Sequence, residues 1–220
     1  MEIHYLSQSI WFPNPDEAND EGLLAIGGDL SLKRLMHAYR SGIFPWYEEG
    51  QPILWWSPNP RMVLFPEKFK ISKSLQKTIH SKKFTVSFNT CFSEVIKNCS
   101  TIKRNGQAGT WITKEMVEAY LVLHQQGHAM SVEVWEGEQL VGGLYGIDLP
   151  NKSIFCGESM FSKVSDASKV GFYFLVEKLK KQNYNLIDCQ MYTPHLESLG
   201  ATEIPRNDFL KYLTNKQMDQ

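Results

Sequence analysis

The chain has 220 residues, 42% of them hydrophobic and 21% charged, a balance typical of a soluble globular protein with one large domain or a small domain joined to a larger one. Its four cysteines form no CxxC pair, which excludes a disulfide scaffold and a cysteine zinc site and indicates reduced thiols. The N-terminus lacks a signal-peptide pattern and no apolar run is long enough to cross a membrane, so we expect a cytoplasmic protein without membrane contacts.

The first sixty residues are rich in turn-forming residues, and they predict a small, loop-rich unit. Residues 12–15 indicate a rigid loop and residues 27–29 a tight turn. Ser31 is placed to cap a short helix that ends at Gly42. Three tryptophans then follow within a short stretch between prolines and indicate an aromatic surface: Trp46, Trp55 and Trp56.

From residue 61 onward the chain alternates strand and helix patterns. Strands are predicted over residues 62–65 and 84–88, and helices over residues 72–81 and 92–99. Residues 103–109 indicate a polar loop, after which Thr113 caps a helix that Gly127 ends.

The rest of the sequence predicts a meander of strands followed by helices and single strands. The meander covers residues 129–135, 139–147 and 153–157. A long helix (165–181), a strand (186–190), a short helix (195–199) and a last strand (201–204) complete the chain. The order β-β-β-α-β-α-β predicts an α+β fold with a mainly antiparallel sheet covered by helices.

The strand over residues 186–190 carries a carboxylate and an amide, Asp188 and Gln190, at alternate positions. Alternate side chains of a strand share a face, so the two groups would project together as a proton acceptor with a polar relay beside it. The alternative interpretation is an edge strand with a solvated polar face. The first interpretation is favoured if another part of the chain supplies a polar partner for these two groups.

Glu158 is that partner, because it follows Gly157 directly at the end of a predicted apolar strand. Strand ends present reactive groups, and the glycine lets a ligand approach the backbone. The alternative is an exposed loop glutamate. The helix over residues 165–181 makes a crossover between the two strands, which would place Glu158 near Asp188.

Trp46 and Trp111 both stand in loop contexts beside glycine or proline, not on an apolar helix stripe. Most tryptophans pack in a protein core, and this is the simpler interpretation of both residues. The functional alternative is a platform on which a nucleic-acid base stacks. A basic segment provides possible phosphate contacts, although a solvated face is its simpler interpretation: Lys68, Lys70, Lys73 and Lys77. Together these features predict a protein that binds the end of a nucleic acid beside a polar reactive centre.

Other chemistries have little support in the sequence. His124 and His128 have helical metal-ligand spacing, but Gly127 breaks the helix between them and no acidic partner is near, so we expect no metal. No GxSxG motif indicates a nucleophilic serine. Neither GxGxxG nor GxxxxGK[ST] occurs, so no nucleotide cofactor is expected.

Seven strings of residues, in the same order, resemble the bacterial leucyl/phenylalanyl-tRNA–protein transferases: residues 11–13, 22–30, 42–46, 55–58, 109–113, 155–162 and 187–190. The resemblance covers nearly the whole chain. It implies a small N-terminal domain, residues 1–61, packed on a GNAT-like acyltransferase domain, residues 62–220. It also implies transfer of Leu, Phe or Met from aminoacyl-tRNA to the α-amino group of proteins that begin with Lys or Arg, which marks them for the N-degron pathway, by a monomer without a cofactor.

The resemblance also implies roles for individual residues. Trp46 and Trp111 would hold the terminal adenine of tRNA between them. Asp188 and Gln190 would deprotonate or position the attacking amine, with Glu158 close to the aminoacyl group. Tyr120 and Ser162 would lie near the site. The pocket for the aminoacyl side chain would be formed by Leu144, Phe155, Gly157, Leu175, Leu179 and Ile187, of which Leu175 and Leu179 replace aromatic residues of other members.

Two alternatives from other classes are open on the sequence. An acyl-CoA-dependent N-acetyltransferase of the same fold would need a glycine-rich pyrophosphate loop between a strand and a helix, and the chain has none. A tRNA-binding module without catalysis would use the lysines and tryptophans but would not need Glu158, Asp188 and Gln190.

Overall fold

The computed structural model describes residues 3–102 and 111–214. A four-stranded sheet is formed near the N-terminus by β1 (His4–Leu6), β2 (Leu23–Gly27), β3 (Phe44–Pro45) and β4 (Leu54–Trp56). Its strand order is β1-β2-β4-β3, with β1 parallel to β2 and the other neighbours antiparallel. Helix α1 (Leu32–Arg40) connects β2 to β3, and the Ser31 side chain accepts a hydrogen bond from the Arg34 amide at its start.

A seven-stranded sheet follows in the described residues. Its strands are β5 (Arg61–Leu64), β6 (Thr85–Phe88), β7 (Ala129–Glu136), β8 (Gln139–Leu149), β9 (Ile154–Ser162), β10 (Leu186–Gln190) and β11 (Thr202–Ile204). Their order is β11-β5-β10-β9-β8-β7-β6, and every pair is antiparallel except β9 and β10. The parallel pair requires a crossover connection, which helix α5 (Ala167–Lys181) provides.

The remaining helices are α2 (Lys73–His80), α3 (Phe92–Thr101), α4 (Lys114–Gln125), α6 (Pro194–Ser198) and α7 (Arg206–Thr214). Helix α5 packs on one face of the larger sheet, in the cluster that contains Leu144 of β8. Helices α3 and α4 pack in the cluster that contains Tyr145, the next residue of the same strand. Since neighbouring residues of a strand point to opposite faces, the helices cover both sides of the sheet.

One apolar cluster continues from the smaller sheet into the larger one, because Trp55 and Tyr39 belong to the same buried set as Tyr120 and Tyr145. Helix α7 reinforces this junction. Gly42, with a φ of +77° at the end of α1, leaves room for the helix: a Cβ built there would lie 2.6 Å from Leu210. No helix within the described part of the chain is both long and apolar enough to span a membrane.

The predicted α+β class, the mainly antiparallel sheet and the meander are confirmed. The caps at Ser31 and Thr113 are also confirmed. The first sixty residues form a sheet and not only loops, and Trp55 is fully buried rather than part of an aromatic surface. The sequence patterns missed α7, and the predicted loop over residues 103–109 lies outside the described residues.

Candidate active site

A cavity of about 530 Å³ opens where the smaller sheet meets strands β8, β9 and β10. Its walls combine residues from distant parts of the chain, including Trp46, Trp111 and Glu158. This volume lies in the range of small-molecule sites, and such sites are mostly apolar with a few polar groups that orient the ligand. The cavity is therefore the candidate active site.

The apolar wall lies on the α5 side of the sheet. It is formed by Leu144, Phe155, Gly157, Met160, Phe172, Ile187 and Cys189. Leu175 and Leu179, expected to line this pocket, are fully buried in the cluster behind the wall, and the residue that α5 presents to the cavity is Phe172.

Glu158 lies in the middle of β9, not at the strand end that the sequence predicted, because the strand continues to Ser162. Glu158 is half-buried and lines the cavity. Oε1 accepts a hydrogen bond of 2.8 Å from Gln190 Nε2, and Oε2 accepts one of 3.1 Å from the Tyr120 hydroxyl. Tyr120 in turn shares a short hydrogen bond with the Tyr39 hydroxyl from α1.

Burial raises the pKa of Glu158 to about 7, and the negative charge of Asp188 adds to the rise. Hydrogen bonds from Tyr39, Tyr120 and Gln190 lower this pKa but do not cancel the effect of burial. The phenol groups of Tyr39 and Tyr120 have pKa values well above the usual range, mainly through burial and then through the Glu158 charge. Glu158 is therefore suited to exchange a proton near neutral pH, while both tyrosines remain protonated.

Asp188 lies on β10 beside Cys156 of β9, as the predicted adjacency of these strands requires. It is 1% exposed and does not line the cavity. Arg61 binds both of its oxygens, with Nε 2.8 Å from Oδ1 and Nη2 2.7 Å from Oδ2. Oδ1 also accepts a hydrogen bond of 3.0 Å from the Gln190 amide. Removal of one partner from such a buried pair typically costs about 3–5 kcal/mol.

Gln190 links this ion pair to the cavity. A register shift of β10 after Asp188 and a φ of +60° at Gln190 redirect the chain there. The side chain lines the cavity and donates to Glu158, while the backbone amide donates to Asp188. The three polar residues that the sequence singled out thus form one connected group.

The two tryptophans expected to stack on a base both border the cavity and are partly exposed. The Trp46 carbonyl accepts a hydrogen bond of 2.7 Å from Trp56 Nε1, which fixes the backbone beside the ring. The cavity is also lined by exposed residues that follow β10, among them Tyr192 and His195. Burial, and then the charge of Lys169, lowers the pKa of His195.

The other predicted residues lie away from the cavity surface. Tyr120 is fully buried and reaches the site through its hydrogen bond to Glu158. The Ser162 hydroxyl accepts from the Ser168 amide and donates to the Val164 carbonyl, near the start of α5. The basic segment is exposed on and just before α2: Lys68, Lys70, Lys73 and Lys77.

Sequence reasoning missed several residues of the site, among them Tyr39, Arg61, Phe172 and His195. Tyr39 lies on helix α1, and nothing in the local sequence reveals its contact with Tyr120. Arg61 pairs with a residue 127 positions away, and no local pattern indicates such a contact. The one sequence signal that could have suggested the pair is a charged residue in each of two apolar strands: Arg61 directly before residues 62–64, and Asp188 between Ile187 and Cys189.

Comparison with known proteins gives a consistent answer. The family model for leucyl/phenylalanyl-tRNA protein transferase matches residues 63–214, and the model for the N-terminal domain of that transferase matches residues 28–59. Among solved structures, a conserved protein of unknown function from Bacteroides thetaiotaomicron shares 10% sequence identity with this chain, with a TM-score of 0.47. The similarity covers 71% of this chain and 55% of that chain and is too low to assign a function.

Curated relatives are much more similar. A leucyl/phenylalanyl-tRNA–protein transferase of Flavobacterium johnsoniae is 59% identical over 97% of this chain and 100% of its own length. The transferase of Flavobacterium psychrophilum is 57% identical over 96% of this chain and 99% of its own length. The transferase of Desulfatibacillum aliphaticivorans is 53% identical over 97% of this chain and 91% of its own length. The chain therefore belongs to the leucyl/phenylalanyl-tRNA–protein transferase family.

Proposed function

We propose that the protein transfers leucine, phenylalanine or methionine from aminoacyl-tRNA to the α-amino group of acceptor proteins that begin with Lys or Arg. The products would enter the N-degron pathway in the cytoplasm. The enzyme would act as a monomer without a cofactor. Residues 1–61 would form a small domain packed on a GNAT-like domain, residues 62–220.

One observation carries this proposal: a single cavity joins an apolar wall, two partly exposed tryptophans and a connected pair of polar side chains, Glu158 and Gln190. The apolar wall suits a Leu, Phe or Met side chain. Trp46 and Trp111 suit the terminal adenine, because stacking on an aromatic ring contributes about 1–3 kcal/mol per base. The polar pair suits an amine that must lose a proton.

The chemistry needs only these groups. The donor is an ester, so the attacking amine nitrogen forms a bond to its carbonyl carbon and the bond to the ribose oxygen breaks. The free α-amino group has a pKa of about 7.7–8 and is partly protonated at neutral pH. Glu158 would accept that proton, and the departing ribose oxygen would take the proton that the nitrogen sheds as the amide forms. Correct placement of amine and ester supplies the rest of the acceleration.

Exposed lysines offer a second support for a tRNA substrate. Lys73 and Lys77 lie on α2, and Lys68 and Lys70 precede it. Such residues contact phosphates and position a nucleic acid without reading its sequence. Replacing Lys73 and Lys77 by alanine should weaken tRNA use and reduce its salt dependence, with activity on aminoacyl-adenosine nearly unchanged. An equal loss with both donors would contradict this role, and Lys33→Ala/Lys97→Ala provides an exposed control pair.

The reaction is tested directly with radiolabelled Leu-tRNA and a peptide that begins with Lys. The expected product is the peptide lengthened by one leucine. The same peptide with a blocked α-amino group, and a peptide that begins with Gly, should gain none. Failure to label the first peptide, or efficient acetylation from acetyl-CoA, would refute the proposal.

A further inference from the structure

Two carboxylates stand close together in the site, and they have different partners. Both oxygens of Asp188 face the Arg61 guanidinium, and each of the two side chains is 1% exposed. Glu158 faces the cavity, and among the described residues its hydrogen-bond donors are neutral groups: the Tyr39 and Tyr120 hydroxyls and the Gln190 amide. Two interacting carboxylates without a cation tend to share one proton. A mechanism that needs one fixed anion and one proton acceptor must keep their roles apart.

Arg61 is built into the fold as a rigid group. Its Nη1 donates to the Gly42 carbonyl at 3.1 Å. The guanidinium carbon lies 4.9 Å from the centre of the Phe44 ring and 4.6 Å from that of Phe209. It thus contacts the end of α1, the smaller sheet and α7 while it holds Asp188 in a two-point ion pair. Lysine, as a point charge, could not reproduce this geometry.

We infer that Arg61 is a positioning residue that separates the roles of the two carboxylates. It holds Asp188 as a fixed anion that orients Gln190, and it leaves Glu158 as the group that takes the proton of the attacking amine. This inference rests on the proposed function. The amine nitrogen loses its proton to the Glu158 carboxylate, forms its bond to the ester carbonyl carbon, and the ribose oxygen departs with the proton released as the amide forms.

The arrangement predicts how charge changes at the pair act on Glu158. The groups that interact with Glu158 are the phenols of Tyr39 and Tyr120, the amide of Gln190, the charge of Asp188 and the buried Cys156 thiol, whose pKa is raised well above the usual range mainly by burial. Of these, Asp188 carries a charge, and Arg61 compensates it. Asp188→Asn leaves the Arg61 cation uncompensated, which stabilises ionised Glu158 and lowers its pKa. The additional change Arg61→Gln removes that cation and moves the pKa back up toward the wild-type value.

The experiment measures kcat/KM against pH with Leu-tRNA and the Lys peptide. Activity falls at low pH as Glu158 becomes protonated. In Asp188→Asn this fall should move to lower pH by about one unit or more. In the double variant Arg61→Gln/Asp188→Asn it should move back toward the wild-type position. Asp16→Asn, which alters the exposed partner of another buried arginine, Arg206, should leave the profile unchanged.

If activity falls at the same pH in Asp188→Asn and in the double variant, the role of Arg61 is overturned. A loss of about a hundredfold or more at every pH in Asp188→Asn would also overturn it and identify Asp188 as the acceptor. Circular dichroism shows whether either variant fails to fold, and in that case Arg61→Lys is the deciding variant. A lower kcat with an unchanged KM for tRNA and an unchanged pH profile of kcat/KM would support the inference. A wild-type kcat would refute it. No transfer by the wild-type enzyme would instead refute the proposed function.

Discussion

The two walls of the cavity differ in how firmly their side chains are held and in what they can distinguish. On the apolar wall, Phe155, Phe172 and Ile187 are each at most 3% exposed and are held by packing alone. On the polar wall, Glu158 and Gln190 are held by directed hydrogen bonds that continue to Tyr120 and Asp188. An apolar wall discriminates weakly, by about 1–3 kcal/mol per methylene, whereas a proton acceptor contributes about 10²–10⁴-fold to rate. Changes to the polar wall should therefore affect kcat, and changes to the apolar wall the choice of amino acid.

The largest expected effect is that of Glu158→Gln. Glutamine keeps the size of the side chain and an accepting oxygen, but it cannot take the proton of the amine. We expect kcat to fall about a hundredfold or more, with nearly unchanged KM for Leu-tRNA.

Asp148→Asn is a matched control for this variant. Asp148 is also a partly buried carboxylate with a raised pKa, caused mainly by burial, and it accepts a hydrogen bond of 2.7 Å from Tyr184 instead of facing the cavity. Its replacement should leave kcat unchanged. A loss of less than about tenfold in Glu158→Gln would mean that the polar wall only positions the amine.

The pH dependence of the wild-type enzyme should also reflect the proton acceptor on the polar wall. Glu158 must be ionised to accept a proton, and its pKa is raised to about 7, so kcat should fall about tenfold per unit as pH drops below that value. His195 also lines the cavity and carries an ionisable ring, but burial lowers its pKa, away from this value. His195→Gln should therefore keep the fall near pH 7, and its disappearance in that variant would assign the proton to His195.

Much of this arrangement could be predicted from local sequence. Glu158, Asp188 and Gln190 were predicted to lie together because a strand–helix–strand unit brings consecutive strands side by side. The rest depends on tertiary packing. Helix α5 presents Phe172, Leu175 and Leu179 along one stripe, and only its placement against the sheet decides which of them reaches the cavity. The Arg61–Asp188 pair joins strands that are far apart in sequence, and no periodicity reveals it.

Phe172→Leu tests the apolar wall, with Leu175→Val as its control one layer behind. Both variants remove buried volume and should lower the free energy of unfolding by about 0.5–3 kcal/mol. Only Phe172→Leu changes the cavity surface, so only it should alter the ratio of kcat/KM for Phe-tRNA and Leu-tRNA, by about tenfold. An equal change of this ratio in Leu175→Val would show that the wall acts as a unit with the core behind it.

Gly157→Ala should have the smallest effect and the most selective one. A Cβ at this position would lie 3.8 Å from the Asp188 carbonyl oxygen and 3.9 Å from Ile187 Cγ2, which are ordinary contacts, so the strand accepts the methyl group without moving. The methyl group then projects into the wall of the cavity, where a Phe side chain needs more room than a Leu side chain. We expect Leu transfer to stay near the wild-type rate and Phe transfer to fall a few-fold, at most about tenfold. Leu-tRNA is the internal control, since a distorted strand would displace Glu158 and slow both donors. Equal losses with both donors would therefore show that Gly157 serves the backbone of β9 and not the choice of amino acid.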